Sequence, residues 1–140
     1  MLETVGQLPL SFYCPHEVWK EVTLGVQKGY PRIRVDWLQI RDLSDPLDPV
    51  AAASLDEGEA SVIQLALESG ITTVCIDERR GRRAAASVGL QVVGTLGLLL
   101  RAKRLGSLPA LRPVIARLQS AGYWYASDLV SKILEAAGEA

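Results

Sequence analysis

The stretch Leu55–Arg83, LDEGEASVIQLALESGITTVCIDERRGRR, decides how the rest of the chain is read. Asp56 can cap a helix over Asp56–Ser69, Glu59 falls three residues later as in a capping box, and Gly70 stands at the far end. Val62, Ile63, Leu65, Ala66 and Leu67 spread around that helix, which predicts burial on more than one side. Ile71–Ile76 is a β-branched run, as expected of a strand covered on both faces. Asp77 can cap a second helix running to Val88, opened by Arg79, Arg80, Arg82 and Arg83. Carboxylates thus stand at both helix starts: Asp56, Glu57 and Glu59 at one, Asp77 and Glu78 at the other. In a parallel sheet both groups share one rim, and the rim becomes a candidate metal site.

Working outward, Met1–Leu8 has the spacing of a short helix stopped by Pro9, and Leu10–Cys14 has strand content. Pro15 opens a helix over Glu17–Gln27, with Val18, Val22 and Val26 one turn apart and Gly29 and Pro31 beyond. Ile33–Ile40 alternates as a second strand. Arg41–Leu55, rich in Asp and Pro, reads as a loop with a turn of helix at Val50–Ala53, either a mobile flap or a connection. Downstream, Gly89 precedes a short strand, Leu90–Val93. Thr95 can cap Leu96–Leu105, with Gly106 and Pro109 as its stop. Leu111–Ala121 follows and closes at Gly122, Tyr123–Tyr125 lies in a turn, and Ser127 can cap a last helix to about Ala137. Strands alternating with helices, then a helical C-terminal part, predict an α/β sandwich with a mainly parallel sheet. With no repeat or linker, 1–140 reads as a single domain.

Composition narrows the class. A chain of 140 residues, 49% hydrophobic and 22% charged, is an ordinary globular balance. No apolar run approaches the roughly 20 residues needed to span a bilayer, and no basic leader precedes Glu3. A cytoplasmic protein is expected. Cys14 and Cys75 lie in apolar runs and read as buried thiols. His16 is the only histidine, so histidine-based zinc chemistry or a Ser-His-Asp relay would rest on that residue alone. Net charge is −1, but it is polarised: 13 acidic and 5 basic residues run through Glu78, then 3 acidic and 10 basic. Such asymmetry suits a basic surface for nucleic acid beside an acidic pocket, or simply Arg and Lys coating exposed helices.

LDEGEASVIQLALESG, followed by TTVCIDERRGRRAAASVGLQVVGTLGLLLRAKRLG, resembles a branch of the PIN-domain proteins. That branch is often described only as predicted nucleic-acid-binding proteins and is similar to the VapC-type toxins. YCPHEVWKEV upstream and LPALRPVIARLQSAGYWYASDLVSKILEAAGE downstream extend the resemblance over nearly the whole chain. It implies a PIN-like three-layer sandwich and a metal-dependent endoribonuclease, in which carboxylates at the C-terminal edge of the sheet hold Mg²⁺ or Mn²⁺. By matching segments, Glu21 takes the place of the family's first-helix glutamate, Glu59 the mid-chain acid and Asp77 the acid after the fourth strand. Glu78 stands where relatives often carry a second aspartate. The resemblance also implies RNA as substrate, a homodimer and an antitoxin protein as partner.

Those residue types suit the chemistry. Hard divalent cations prefer oxygen ligands. A cation can generate a nucleophile from water, polarise the scissile phosphate and neutralise the leaving oxygen. Neighbouring carboxylates repel until it is bound. One departure stands out: family members open with a strand ending in an aspartate or asparagine, and this chain begins in the helix after it. With the N-terminal strand missing, the sheet closes up in a changed order, a partner fills the gap, or the native start lies upstream.

Local readings compete with the functional ones. Glu59 and Asp77 are each competent helix caps, and Glu17, one turn from Glu21, could be the glutamate that turns inward. The four arginines oppose the helix macrodipole, which calls for a compensating partner: the acidic cluster, a phosphate backbone, or ion pairs on a solvated face. Arg101, Lys103 and Arg104 favour a helix C-terminus. Trp19, Trp37 and Trp124 read as core or interface. Two functions remain: an Mg²⁺- or Mn²⁺-dependent ribonuclease, or a non-catalytic module binding RNA or protein. A nucleotide-binding domain is weaker, since GVQKG (Gly25–Gly29) lacks the length and the Lys-Ser/Thr ending of a P-loop.

Overall fold

Residues 5–29 and 36–140 are described by a computed structural model, and they divide into two compact units, Leu10–Val93 and a second made of Met1–Pro9 with Gly94–Ala140. The first unit opens with β1 (Phe12–Pro15) and α1 (His16–Gln27), followed by β2 (Leu38–Arg41). The two strands pair in parallel, Phe12 opposite Leu38 and Pro15 opposite Arg41. Phe12 meets Trp37 edge-on at 5.2 Å, and the Arg41 guanidinium lies 4.0 Å over the Tyr13 ring. Of the second expected strand, Ile33–Val35 lies outside the described residues, and Trp37 sits in a turn ahead of β2.

The expected loop is a fastened connection rather than a flap. α2 (Pro49–Ser54) is capped by Asp48, whose Oδ1 accepts from Val50 N at 3.0 Å. Ahead of it, Ser44 N and Asp45 N donate to the Glu68 carboxylate at 2.7 and 3.1 Å. Asp48 N donates to Gln64 Oε1, while Gln64 Nε2 reaches the carbonyls of Asp45 and Pro46. Gln64 and Glu68 sit one turn apart on α3 (Glu57–Ser69), so one helix face holds the whole segment. The Ser44 amide first, then the Gln64 amide, lower the Glu68 pKa from its ordinary value.

α3 begins and ends as its sequence predicts. Asp56 Oδ1 accepts from Glu59 N at 2.7 Å, and Gly70 closes the helix with φ at +68°. β3 (Thr73–Cys75) and β4 (Gln91–Val93) form a second parallel pair, extended by Ile76 N donating to Val93 O at 2.9 Å. Ile63, Ala66, Val74, Ile76, Ala85 and Leu90 make the core of this unit. The two-sided burial expected of β3 is not found: Val74 and Ile76 point into the core, whereas Thr73 and Cys75 are exposed on the opposite face. Cys75 is therefore not the buried thiol expected, and both cysteines are free.

Among the described residues the strands form two separate two-stranded pairs, with no hydrogen-bonded link between them. Helix α3 packs against both β1 and β3, and so spans the two pairs. α4 (Arg79–Ser87) lies between β3 and β4 in the chain, the crossover that two parallel neighbours require.

The second unit is helical: α5 (Thr95–Arg104), α6 (Arg112–Ser120) and α7 (Ser127–Ala136). Thr95 and Ser127 are first helical residues rather than caps, since Gly94 and Ala126 precede the helices without a side-chain cap bond. Leu99, Leu111, Ile115 and Leu134 are buried, and α5 packs on α7. Glu139 accepts from Lys103 Nζ at 2.7 Å, Leu111 N at 2.8 Å and Arg112 N at 3.1 Å, which holds the chain end to the start of α6. Of the expected N-terminal helix, Met1–Thr4 lies outside the described residues; Val5 and Gly6 are helical, and Leu8 is buried. The protein is thus α/β, with short parallel strands and seven helices among the described residues. No helix is long and apolar enough to cross a membrane.

Candidate metal centre

Three segments of the first unit bring acids to one place. α1 carries Glu21, the start of α3 carries Asp56 and Glu59, and the turn after β3 carries Asp77 and Glu78. All five line a cavity of about 290 Å³ whose apolar wall is Val18, Val62 and Ile76. The four carboxylates expected from sequence, Glu21, Glu59, Asp77 and Glu78, therefore share one surface. Glu17 does not line this cavity; its Oε2 is buried without a hydrogen-bond partner among the described residues. The glutamate that turns toward the other acids is Glu21.

Two glycines permit this convergence, and sequence reasoning passed over both. A Cβ on Gly58, in the first turn of α3, would stand 3.0 Å from Glu21 Oε1 and 3.4 Å from Asp56 Oδ1. A Cβ on Gly81, in the first turn of α4, would stand 2.9 Å from Ile76 Cγ2 and 3.3 Å from the Glu59 carboxyl carbon. The available signal was glycine in the opening turn of two helices, where it costs helix stability unless close approach requires it.

Capping and site formation are divided differently from the expectation. Asp77 is not the cap of α4. Glu78 is, accepting from Arg80 N and Gly81 N at 3.3 Å each. Asp56 caps α3, but the Glu59 carboxyl turns to the Asp56 and Glu78 side chains. Burial first, then the hydrogen bond with Glu78 and the Asp56 charge, push the Glu59 carboxyl up to about 7. Glu78 moves the other way, lowered first by the Arg80 amide. Glu21 is raised by burial and by the charges of Asp56 and Glu57. The opposite shifts favour the proton on Glu59 over Glu78, because neighbouring carboxylates do not both ionise freely.

That electrostatic demand fits a hard divalent cation. The donors are all carboxylate oxygens, the set Mg²⁺ and Mn²⁺ prefer, and a proton fills the charge-neutralising place that a cation would take. Among the described residues no three acidic, His or Cys groups already converge as a ligand set, so loading the cation requires side-chain movement.

The arginines fall into two classes. Arg82 Nη1 donates to Ile76 O at 2.9 Å and Arg80 Nη2 to Ser54 O at 2.8 Å, so these two tie α4 to the strand and to α2. With Glu78 at the cap, those carbonyls compensate the cations at the helix start. Arg79 and Arg83 are exposed and make no side-chain hydrogen bond or ion pair among the described residues. On the other side of α3 and α4, a mostly apolar groove of about 600 Å³ runs between Val50, Leu55, Ile63, Leu67 and Val88, with Arg80 and Arg83 at its edge.

Compared with known proteins, residues 1–139 match a family model described as a PIN domain. No curated protein and no solved structure matches the chain.

Proposed function

The chain belongs to the PIN-domain family, and on that premise we propose that it is a divalent-metal-dependent endoribonuclease acting on RNA. The observation that carries the reading is the convergence of Glu21, Glu59, Asp77 and Glu78 on one cavity. These four would hold Mg²⁺ or Mn²⁺, with Asp56 both capping α3 and adding charge at the rim. When bound, the cation polarises the scissile phosphate and neutralises charge on the leaving oxygen. Glu59, its carboxyl raised to about 7, would have to be deprotonated to serve as a ligand, so cation binding would favour its charged form. Arg79 and Arg83, exposed and without a side-chain hydrogen bond or ion pair among the described residues, would meet the RNA backbone.

The test is RNA cleavage with Mn²⁺. Wild-type protein should cut single-stranded RNA, and Glu59→Gln should lower the rate by about a hundredfold or more. Unchanged cleavage in that variant would remove the site assignment.

A second reading has its own observation. Although the acids line one cavity, no three His, Cys, Asp or Glu residues among the described residues stand close enough to hold a metal ion as they are placed. A non-catalytic PIN-like module that binds RNA or a protein partner agrees with that placement. It predicts RNA affinity without turnover, whatever the metal.

The family context also suggests a homodimer and an antitoxin-like partner. The apolar groove between α2, α3 and α4 supports a protein contact, because exposed apolar surface of that kind marks interaction sites. A dimer in solution that Leu67→Glu converts to monomer is the expected result. A strictly monomeric wild type would end the dimer proposal.

A further inference from the structure

Tryptophan is among the residues most buried on average, yet Trp124 is 83% exposed, and its neighbour Tyr123 is 60% exposed. Of the two places expected for Trp124, core or interface, its exposure rules out the core. The pair is not on a loose segment. Gly122, with φ at +100°, turns the chain out of α6, and Tyr123 N donates back to Leu118 O at 3.1 Å. Gly122 N bonds Gln119 O, Ala121 N bonds Arg117 O, and α7 starts only three residues beyond Trp124. The backbone that presents the two rings is therefore fixed from one side by a helix C-cap and from the other by a helix start.

The surroundings decide what the rings are for. The residues flanking them in sequence, Gln119, Ser120, Ser127 and Asp128, are exposed and polar, and Leu129 is the nearest other exposed large hydrophobic along the chain, so the flanks are more polar than the apolar run a protein partner would cover. Arg117, in the last turn of α6, is exposed and makes no side-chain hydrogen bond or ion pair among the described residues. The segment 94–140 carries six basic residues (Arg101, Lys103, Arg104, Arg112, Arg117 and Lys132) against Asp128, Glu135 and Glu139. Of the acids, Glu139 is already engaged with Lys103. Exposed aromatic rings on a hydrogen-bonded backbone, with a free guanidinium in the last turn of the helix just before them, suit the stacking of unpaired bases without reading their sequence.

We propose that Tyr123 and Trp124 form a stacking platform for unpaired bases of single-stranded RNA, with Arg117 engaging the adjoining phosphate. The platform rests on the RNA-directed reading above and adds a base-binding site built from residues other than those lining the acidic cavity. It favours unpaired over duplex RNA and is tolerant of sequence.

The experiment measures binding of the full chain to a labelled oligouridine of about 16 nucleotides, without divalent metal. Replacing both rings, Tyr123→Ala with Trp124→Ala, should weaken binding by about 5- to 100-fold per stacked base while leaving thermal unfolding unchanged. Trp124→Phe should retain most of the affinity, and Arg117→Gln should reduce the slope of affinity against salt by about 1. Wild-type binding that the double variant leaves unchanged would overturn the platform while leaving the RNA reading intact. No wild-type binding at low salt would overturn both. A change of oligomeric state with RNA affinity preserved would assign the rings to a protein contact and so overturn the proposal.

Discussion

Glu59 and Glu78 line one cavity, and their carboxyls are shifted in opposite directions, Glu59 up to a pKa of about 7 and Glu78 down. They reach this arrangement from different elements: Glu59 from the first turn of α3, Glu78 from the cap of α4. Asp56 adds a third carboxyl beside Glu59. A cluster that must retain a proton near neutral pH is poised to exchange that proton for a cation.

The proton on Glu59 gives stability a pH dependence. The Glu59 pKa of about 7 lies above its ordinary 4.5, so between those values the folded chain holds a proton that the unfolded chain has released. The stability that Glu59 contributes is full below about 4.5 and is lost as pH rises through about 7. Metal-free wild type should therefore melt at falling temperature across that window, and Glu59→Gln should flatten the fall. Parallel profiles for the two proteins would show that the proton sits elsewhere.

The two site glycines should respond differently to alanine. In an ordinary helix Gly→Ala gains up to about 1 kcal/mol. At Gly81 the added methyl meets Ile76 Cγ2 at 2.9 Å, in the core, so overpacking should instead cost about 1–3 kcal/mol. At Gly58 it meets the end of the flexible Glu21 side chain at 3.0 Å, which can swing away. Gly58→Ala should therefore be neutral or stabilising while displacing Glu21 and weakening metal binding. Denaturant unfolding separates the two, and equal stability changes would contradict the packing argument.

The arginines separate by role. Arg82→Ala should destabilise the fold, because it removes the donor to Ile76 O. Charge reversal at Arg79 and Arg83 together should leave unfolding nearly unchanged and weaken RNA binding, with a shallower salt dependence. If the reversal leaves RNA affinity intact at low salt, this face is not the RNA contact.

Much of this was legible in the sequence because it is local. The Asp56 cap, the Gly70 stop and the run of α3 follow from residues a few positions apart, and they are found where expected. So is the meeting of Glu21, Glu59, Asp77 and Glu78, which needed the family frame as well as spacing. What failed depends on distant partners. Glu78 takes the α4 cap from Asp77 because the helix begins at Arg79, one residue later than a cap at Asp77 would start it. The Asp- and Pro-rich loop is fastened by Gln64 and Glu68, about twenty residues away, and nothing within the loop announces them. Trp124 read as core or interface because no basic aromatic cluster surrounds it in the sequence, whereas the turn at Gly122 leaves it exposed.

The most direct measurement is calorimetric titration of Mn²⁺ into metal-free protein at pH values on either side of about 7, the Glu59 pKa. Wild type should bind with proton release below that value and more tightly above it, and Glu59→Gln should lose most of the affinity. Binding of equal strength in both proteins, with no proton released, would contradict the account.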